Sequence, residues 1–89
     1  MTALEQAIYD LSAEDLLDFI EEFTKKSNKE TDIMLQFKQG VVANSHNKEC
    51  MEALYPEMIK QAELLNNLAI LGDAIQTVVQ RRANEIGLL

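Results

Sequence analysis

Cysteine, proline, glycine and tryptophan are scarce in this sequence, which has one cysteine, one proline, three glycines and no tryptophan. Because Cys50 is the single cysteine, no disulfide can join two parts of the chain, and this suits a reducing compartment. The three glycines, Gly40, Gly72 and Gly87, fit no phosphate-binding loop of the Walker or Rossmann kind. Asn-Gly and Asp-Gly are absent, so the sequence lacks the strongest short signal for a β-hairpin.

Residues that could bind a metal or act as a nucleophile are equally few. His46 and Cys50 are four residues apart, and Glu49 lies between them. A structural zinc site needs four protein ligands, and a catalytic site needs three plus water. Nothing near this pair resembles an oxyanion loop, which a Cys–His nucleophile would need. We therefore expect no metal, no cofactor and no enzymatic activity.

Positive charge is also scarce, since eight lysines and arginines face fifteen acidic residues, for a net charge of −7. Up to Asp32 there are nine acids and three lysines, so the N-terminal third holds most of the excess. The only basic dipeptides are Lys25-Lys26 and Arg81-Arg82. This distribution disfavours direct binding to nucleic acid, which needs clustered basic residues, and to anionic membrane surfaces.

Long apolar runs are missing too. The longest is Leu68-Ala69-Ile70-Leu71, and a membrane span needs roughly 20 apolar residues. The first residues lack the basic segment followed by an apolar run that marks a secretory signal. We expect a soluble cytoplasmic protein with no contact to a membrane.

Helix signals are plentiful. Thr2 and Glu5 form a capping-box pattern, which predicts a first helix from Ala3 to about Asp10. Ser12 is a second N-cap candidate, and it predicts a helix from Ala13 to about Lys26. The acids that follow it alternate with apolar residues, and this indicates a solvated outer face or contact with a basic partner: Glu14, Asp15, Asp18, Glu21 and Glu22.

The middle of the chain is less regular. Ser27-Asn28 predicts a break, after which a third helix is expected from Asn28 or Glu30 to about Asn44. Asn47 can cap the next helix, and Pro56 leaves two alternatives. Either a new helix begins at Pro56, or one helix continues from Asn47 with a kink.

The final helix, from about Glu57 to Glu85, has the broadest apolar surface, and Gly87 fits its C-terminal cap. At about 1.5 Å per residue it would span about 43 Å, more than a compact domain of this size can cover. Its apolar residues spread beyond one stripe, which predicts an association surface. The residues expected to bind a partner there are Leu64, Leu71, Val78, Ile86, Leu88 and Leu89.

These features predict one all-α domain over residues 1–89, a small helical bundle with a long C-terminal amphipathic helix that dimerisation could complete. The function expected is that of a non-enzymatic protein-binding module, such as a small adaptor, chaperone or inhibitor, which also self-associates. The alternative is an acidic regulator of nucleic-acid transactions, acting by mimicry or through a helix-turn-helix. The helix-turn-helix form is weaker, because no candidate recognition helix is basic.

Overall fold

The computed structural model describes residues 1–88 and contains three helices. They are α1 (Ala3–Tyr9), α2 (Ala13–Ala43) and α3 (Lys48–Glu85). Helix accounts for 86% of the described chain, which has no strand, so the all-α class with its longest helix at the C-terminus is confirmed. No helix within residues 1–88 has the length and apolar character needed to cross a bilayer. The expectation that Leu89 binds a partner lies outside the described residues.

The helix starts are where the capping patterns predict them. Thr2 Oγ1 accepts a hydrogen bond from Glu5 N at 3.1 Å, and Glu5 Oε1 accepts one from Thr2 N at 2.9 Å. Hydrogen bonding of the Glu5 carboxylate by the Thr2 backbone, and next by the Thr2 side chain, lowers the pKa of Glu5. Ser12 Oγ accepts from Asp15 N, and Asn47 Oδ1 accepts from Cys50 N, each at 3.1 Å. Each cap satisfies a backbone donor that would otherwise lack an intrahelical partner.

The predicted break at Ser27-Asn28 is wrong, because α2 continues through both residues. Serine and asparagine cost only about 0.5 kcal/mol each relative to alanine in a helix, which tertiary packing easily offsets. The apolar stripe is interrupted here because the residues facing inward are polar. Ser27 is half-buried, and Glu30 is buried. The inward-facing residues therefore change from apolar to polar at this point, while the helix continues.

Pro56 lies inside α3, so the two alternatives resolve to one helix that begins at Lys48. A proline in a helix interior removes one backbone donor and crowds the carbonyl four residues earlier, here that of Glu52. Such a proline costs about 3 kcal/mol relative to alanine. The helix continues because the rest of its length is held by packing against α2.

The described chain divides into two compact units, and both long helices contribute to each. Unit 1 comprises Met1–Thr24 and Ala69–Leu89, and unit 2 comprises Lys25–Leu68. The apolar core of unit 1 consists of Ile8, Leu16, Ala74, Ile75 and Val78. Within unit 1, α2 and α3 approach closely at Gly72, where an added Cβ would lie 3.0 Å from Phe23 Cζ. A glycine at position 72 therefore permits close packing of the two helices.

Unit 2 is a pair of antiparallel helix segments whose only fully buried residues are polar. Gln61 Nε2 donates to the backbone carbonyl of Glu30 and to its Oε2, both at 2.8 Å. Lys26 Nζ lies 3.2 Å from Glu30 Oε1. The hydrogen bond from Gln61, followed by the one from Lys26, lowers the pKa of Glu30. The hydroxyl of Ser27, one turn away, is buried without a partner among the described residues.

Candidate protein-binding surface

The structure separates the residues expected to bind a partner. Val78 is completely buried in the core of unit 1, and Leu71 packs against that core. Val78 therefore has no surface accessible to a partner, and the expectation for half-buried Leu71 stays a prediction. Leu64 is half-buried in unit 2. Ile86 and Leu88 are exposed, with 72% and 74% of their surface accessible.

The error concerns the rotational phase of α3. Its last turns have two adjacent lines of apolar residues, and periodicity alone does not decide which line faces inward. Ala62, Ala69, Val79 and Ile86 follow the helical spacing of the main apolar stripe of α3, but all four are exposed. In unit 1, Ile8 of α1 and Leu16 of α2 join Ala74 and Val78 in the core instead. The contacts of α1 and α2 therefore select the line that contains Val78.

The other apolar line of α3 forms one wall of a groove, and the start of α2 forms the opposite wall. The groove lies entirely within unit 1 and has a volume of about 310 Å³. We call it the C-terminal groove. Its lining is apolar except for one arginine: Ala13, Leu16, Leu17, Ile20, Val79, Arg82, Ala83, Ile86 and Leu88.

Four large apolar side chains of the groove remain accessible. Leu17 is 68% exposed and Val79 is 40% exposed, and Ile86 and Leu88 are more exposed still. Leu17 is not among the residues expected from the sequence to bind a partner, because its spacing in the helix matches that of an apolar stripe facing the core. The signal was the Leu16-Leu17 pair, because two consecutive helical residues are about 100° apart and cannot both face the core.

A C-terminal helix cap fixes the end of the groove. Gly87 has φ of +80°, a conformation that favours glycine. Leu88 N donates to Ala83 O at 2.9 Å, and Gly87 N donates to Asn84 O at 3.1 Å. This pair of bonds is the Schellman motif, in which the residue after the glycine packs back on the last turn. The predicted cap at Gly87 is confirmed, and it holds Leu88 beside Ala83 at the groove.

Arg82 connects the groove to the turn between α1 and α2. Its Nη2 donates to Tyr9 O at 2.5 Å and to Leu11 O. Its guanidinium carbon lies 5.5 Å from the centre of the Tyr9 ring. Tyr9 in turn donates its hydroxyl proton to Glu85 Oε2 at 2.5 Å, which raises the pKa of the phenol. The guanidinium of Arg82 is thus paired with groups of unit 1, and its side chain also lines the groove.

Net charge is distributed very unevenly between the two units. Unit 1 has nine carboxylates and two arginines, and so holds all of the −7. Unit 2 has six carboxylates and six lysines and is neutral. The second arginine of unit 1, Arg81, lies 3.4 Å from Glu85 Oε1. Unit 1, which contains the C-terminal groove, is therefore strongly acidic.

Two other depressions are poorer candidates for a binding site. One, of about 240 Å³, lies between α1 and α3 within unit 1, and its lining includes Glu5, Asp73 and two threonines. The other lies along one side of α2 in unit 2, where Lys38, Gln39, Val42 and Ala43 line it. The first depression also contains exposed Leu4 and Ile70, and the C-terminal groove differs from it in a lining that is apolar except for one arginine. The groove differs from the second depression in having two helix walls.

Among residues 1–88, no three histidine, cysteine, aspartate or glutamate side chains are grouped in a way that could hold a metal ion. Cys50 is a free, half-buried thiol in the first turn of α3, and His46 lies in the turn before that helix. Comparison of the chain with protein-family models, with curated proteins and with solved structures finds no match.

Proposed function

We propose that this protein is a non-enzymatic protein-binding module that holds its partner in the C-terminal groove of unit 1. The observation that carries the proposal is the exposure of Leu17, Ile86 and Leu88 around one apolar groove. Contiguous apolar surface of this kind on a soluble protein usually marks an interaction site. A small adaptor, chaperone or inhibitor would use such a surface.

The energy available from the groove indicates a reversible interaction. Full burial of a leucine, isoleucine or valine side chain contributes about 1.5–3 kcal/mol relative to leaving it exposed. Leu17, Ile86 and Leu88 are each mostly exposed, so covering all three would contribute about 4–6 kcal/mol. Association itself costs about 4–15 kcal/mol. The groove therefore needs additional polar or charged contacts from its partner to bind tightly.

Self-association through this groove is disfavoured by charge. A two-fold symmetric dimer places the same patch of both subunits face to face. Here each patch belongs to a unit that carries −7. Like charges across an interface weaken association, most strongly at low salt. We therefore propose a different protein as the partner. We also expect that two copies of the chain do not dimerise through this groove.

The acidity of unit 1 also favours a second candidate, an acidic regulator that occupies the nucleic-acid-binding site of another protein. Such a mimic would depend mainly on its carboxylates, and salt would weaken its binding steeply. A groove-binding module would depend mainly on Leu17 and Ile86. Substitutions of these two residues therefore distinguish the candidates. The helix-turn-helix alternative is not favoured, because both arginines of unit 1 are engaged within it.

The test is a pull-down from native lysate with three tagged proteins. They are the unaltered chain, a groove variant Leu17→Ser/Ile86→Ser, and a control Val42→Ser/Ile59→Ser. The control residues are similarly exposed, at 78% and 60%, but belong to unit 2. We expect a partner that the unaltered chain and the control retain and the groove variant loses. Equal recovery by all three would argue against the groove. Because Cys50 cannot form an internal disulfide, we place this activity in the cytoplasm.

A further inference from the structure

We infer that the occupant of the C-terminal groove is a single amphipathic helix with basic side chains along the flank that lies over α2. The inference rests on the proposed function and adds the chemistry of the partner. It follows from the dimensions of the groove, from the different edges of its two walls, and from the distribution of charge in unit 1.

The dimensions of the groove match a short helical contact. Its lining runs from Ala13 to Ile20 on α2 and from Val79 to Leu88 at the end of α3. At about 1.5 Å per residue, the stretches from Ala13 to Ile20 and from Val79 to Ile86 are each about 10 Å long, and the helix cap turns Leu88 back beside Ala83. Three apolar anchors at positions i, i+3 or i+4, and i+7 of a bound helix span about 10 Å. Helices that dock in apolar grooves use this anchor spacing.

The two edges of the groove differ in charge. On α2, Glu14 and Asp18 lie on the side of Leu17 that is turned away from the core, and both are exposed. On α3, the corresponding edge beside Val79 carries Gln76 and Gln80, which are exposed and neutral. A helix resting on the apolar floor would therefore meet carboxylates along one flank and amides along the other. Lysine or arginine on the first flank would complement the carboxylates.

Charge also separates this occupant from a second copy of the chain. Unit 1 contains just two basic side chains, Arg81 and Arg82, and both contact groups within the unit. A second copy would offer the groove either another acidic unit 1 or a neutral unit 2. Neither has the excess of basic charge that the α2 edge favours. A basic helix of another protein meets both requirements, an apolar face and a positive flank.

The experiment uses three synthetic peptides of 18 residues and isothermal titration calorimetry. All three have leucines at i, i+3, i+4 and i+7, and they differ along one flank, which carries lysine, glutamine or glutamate. We expect the lysine peptide to bind about tenfold more tightly than the glutamine peptide at low salt, as a few exposed ion pairs would produce. The difference should shrink at high salt, where such pairs are screened.

Two pairs of variants test whether the peptide occupies the groove and uses its acidic edge. Leu17→Ser/Ile86→Ser should weaken binding about tenfold or more, as loss of central apolar contacts does, and Val42→Ser/Ile59→Ser should not. Glu14→Gln/Asp18→Asn should remove the preference for lysine. Glu49→Gln/Glu63→Gln removes the same amount of charge from exposed positions of unit 2 and should leave the preference intact. Circular dichroism confirms that each variant is folded.

The contrary outcomes separate this inference from the function on which it rests. Equal binding of the lysine and glutamine peptides, lost in Leu17→Ser/Ile86→Ser, would overturn the basic partner and leave the groove as a binding site. If the lysine peptide bound Leu17→Ser/Ile86→Ser as tightly as the unaltered chain, its binding would be simple charge attraction. That result would overturn both the basic partner and the groove as a binding site. Absence of binding by any peptide would overturn a helical occupant. A dimer dispersed by Leu17→Ser/Ile86→Ser would assign the groove to a second copy and overturn the inference.

Discussion

Val78 and Val79 are neighbours on α3 but lie in opposite environments, and this difference can be measured. Val78 is completely buried, whereas Val79 is 40% exposed at the C-terminal groove. Replacing either residue by alanine removes the same two methyl groups and changes helix propensity equally. The difference in stability between Val78→Ala and Val79→Ala therefore reports the packing of the two sites.

The expected magnitudes follow from this burial. At Val78, the lost transfer free energy is about 1.6 kcal/mol, from about 0.8 kcal/mol per buried carbon. A residual cavity of about 50 Å³ would add about 1 kcal/mol at about 24 cal/mol per Å³. Alanine recovers roughly 0.6 kcal/mol of helix propensity. Val78→Ala should thus cost about 2 kcal/mol, and Val79→Ala less than about 0.5 kcal/mol, since water fills the space left at a partly exposed site.

Urea unfolding followed by circular dichroism at 222 nm would measure both free energies of unfolding. The unaltered chain and the two variants should unfold with the same dependence on urea, so that their midpoints compare stability alone. Equal destabilisation by the two substitutions would refute the reasoning. The last turns of α3 would then be rotated relative to the core, and Val79 would not line a groove.

Three further substitutions test other parts of the fold. Pro56→Ala should raise the free energy of unfolding by about 1–3 kcal/mol, because it restores a backbone donor inside α3. Gly87→Ala should lower it by about 1 kcal/mol, since an L-residue is strained at φ of +80° while the space around Gly87 is open. Gln61→Leu should destabilise the protein more at pH 7 than at pH 3. It removes the main hydrogen bond that lowers the pKa of Glu30, and stability linked to a lowered carboxyl pKa is present above the unfolded pKa and is lost as the pH falls.

For each of these three substitutions, one result would contradict the prediction. A less stable Pro56→Ala variant would mean that packing requires the geometry the proline imposes. An unchanged Gly87→Ala variant would mean that the cap contributes nothing. For Gln61→Leu, a loss of stability that is the same at pH 7 and pH 3 would show that ionised Glu30 does not depend on this contact. Denaturant titrations at the two pH values supply all the comparisons.

Local signals in the sequence predicted the helix ends well. Thr2, Ser12, Asn47 and Gly87 act through hydrogen bonds or backbone angles that involve residues only a few positions away. Such features are largely decided by local chemistry, so they can be predicted without knowledge of the tertiary fold. The all-α class followed for the same reason, since helical spacing of apolar residues recurs along the chain.

Features that depend on distant contacts were not predictable in the same way. The continuity of α2 through Ser27 depends on a buried polar contact between Glu30 and Gln61, which are 31 residues apart. The inward face of α3 is selected by Ile8 and Leu16. Periodicity describes an amphipathic helix but does not choose between two adjacent apolar lines.

The same limit explains how much of the candidate site could be predicted. Ile86 and Leu88 were identified because apolar residues at the end of a helix lack neighbours in sequence that would cover them. Leu17 was missed because its spacing matches that of an apolar stripe facing the core. Val78 was included because it lies beside the main apolar stripe of the last helix. The groove exists only where α2 and α3 meet within unit 1, so neither helix alone reveals it.

The most direct test of the groove is to record amide resonances of the ¹⁵N-labelled protein while the lysine-flanked peptide is added. Shift changes should be concentrated in two stretches, residues 13–21 of α2 and 76–88 at the end of α3. Little change is expected across 35–60 of unit 2, where Val42 and Ile59 are exposed to a similar extent. Changes spread along all acidic positions of unit 1, or centred in unit 2, would contradict the claim that the C-terminal groove is the binding surface.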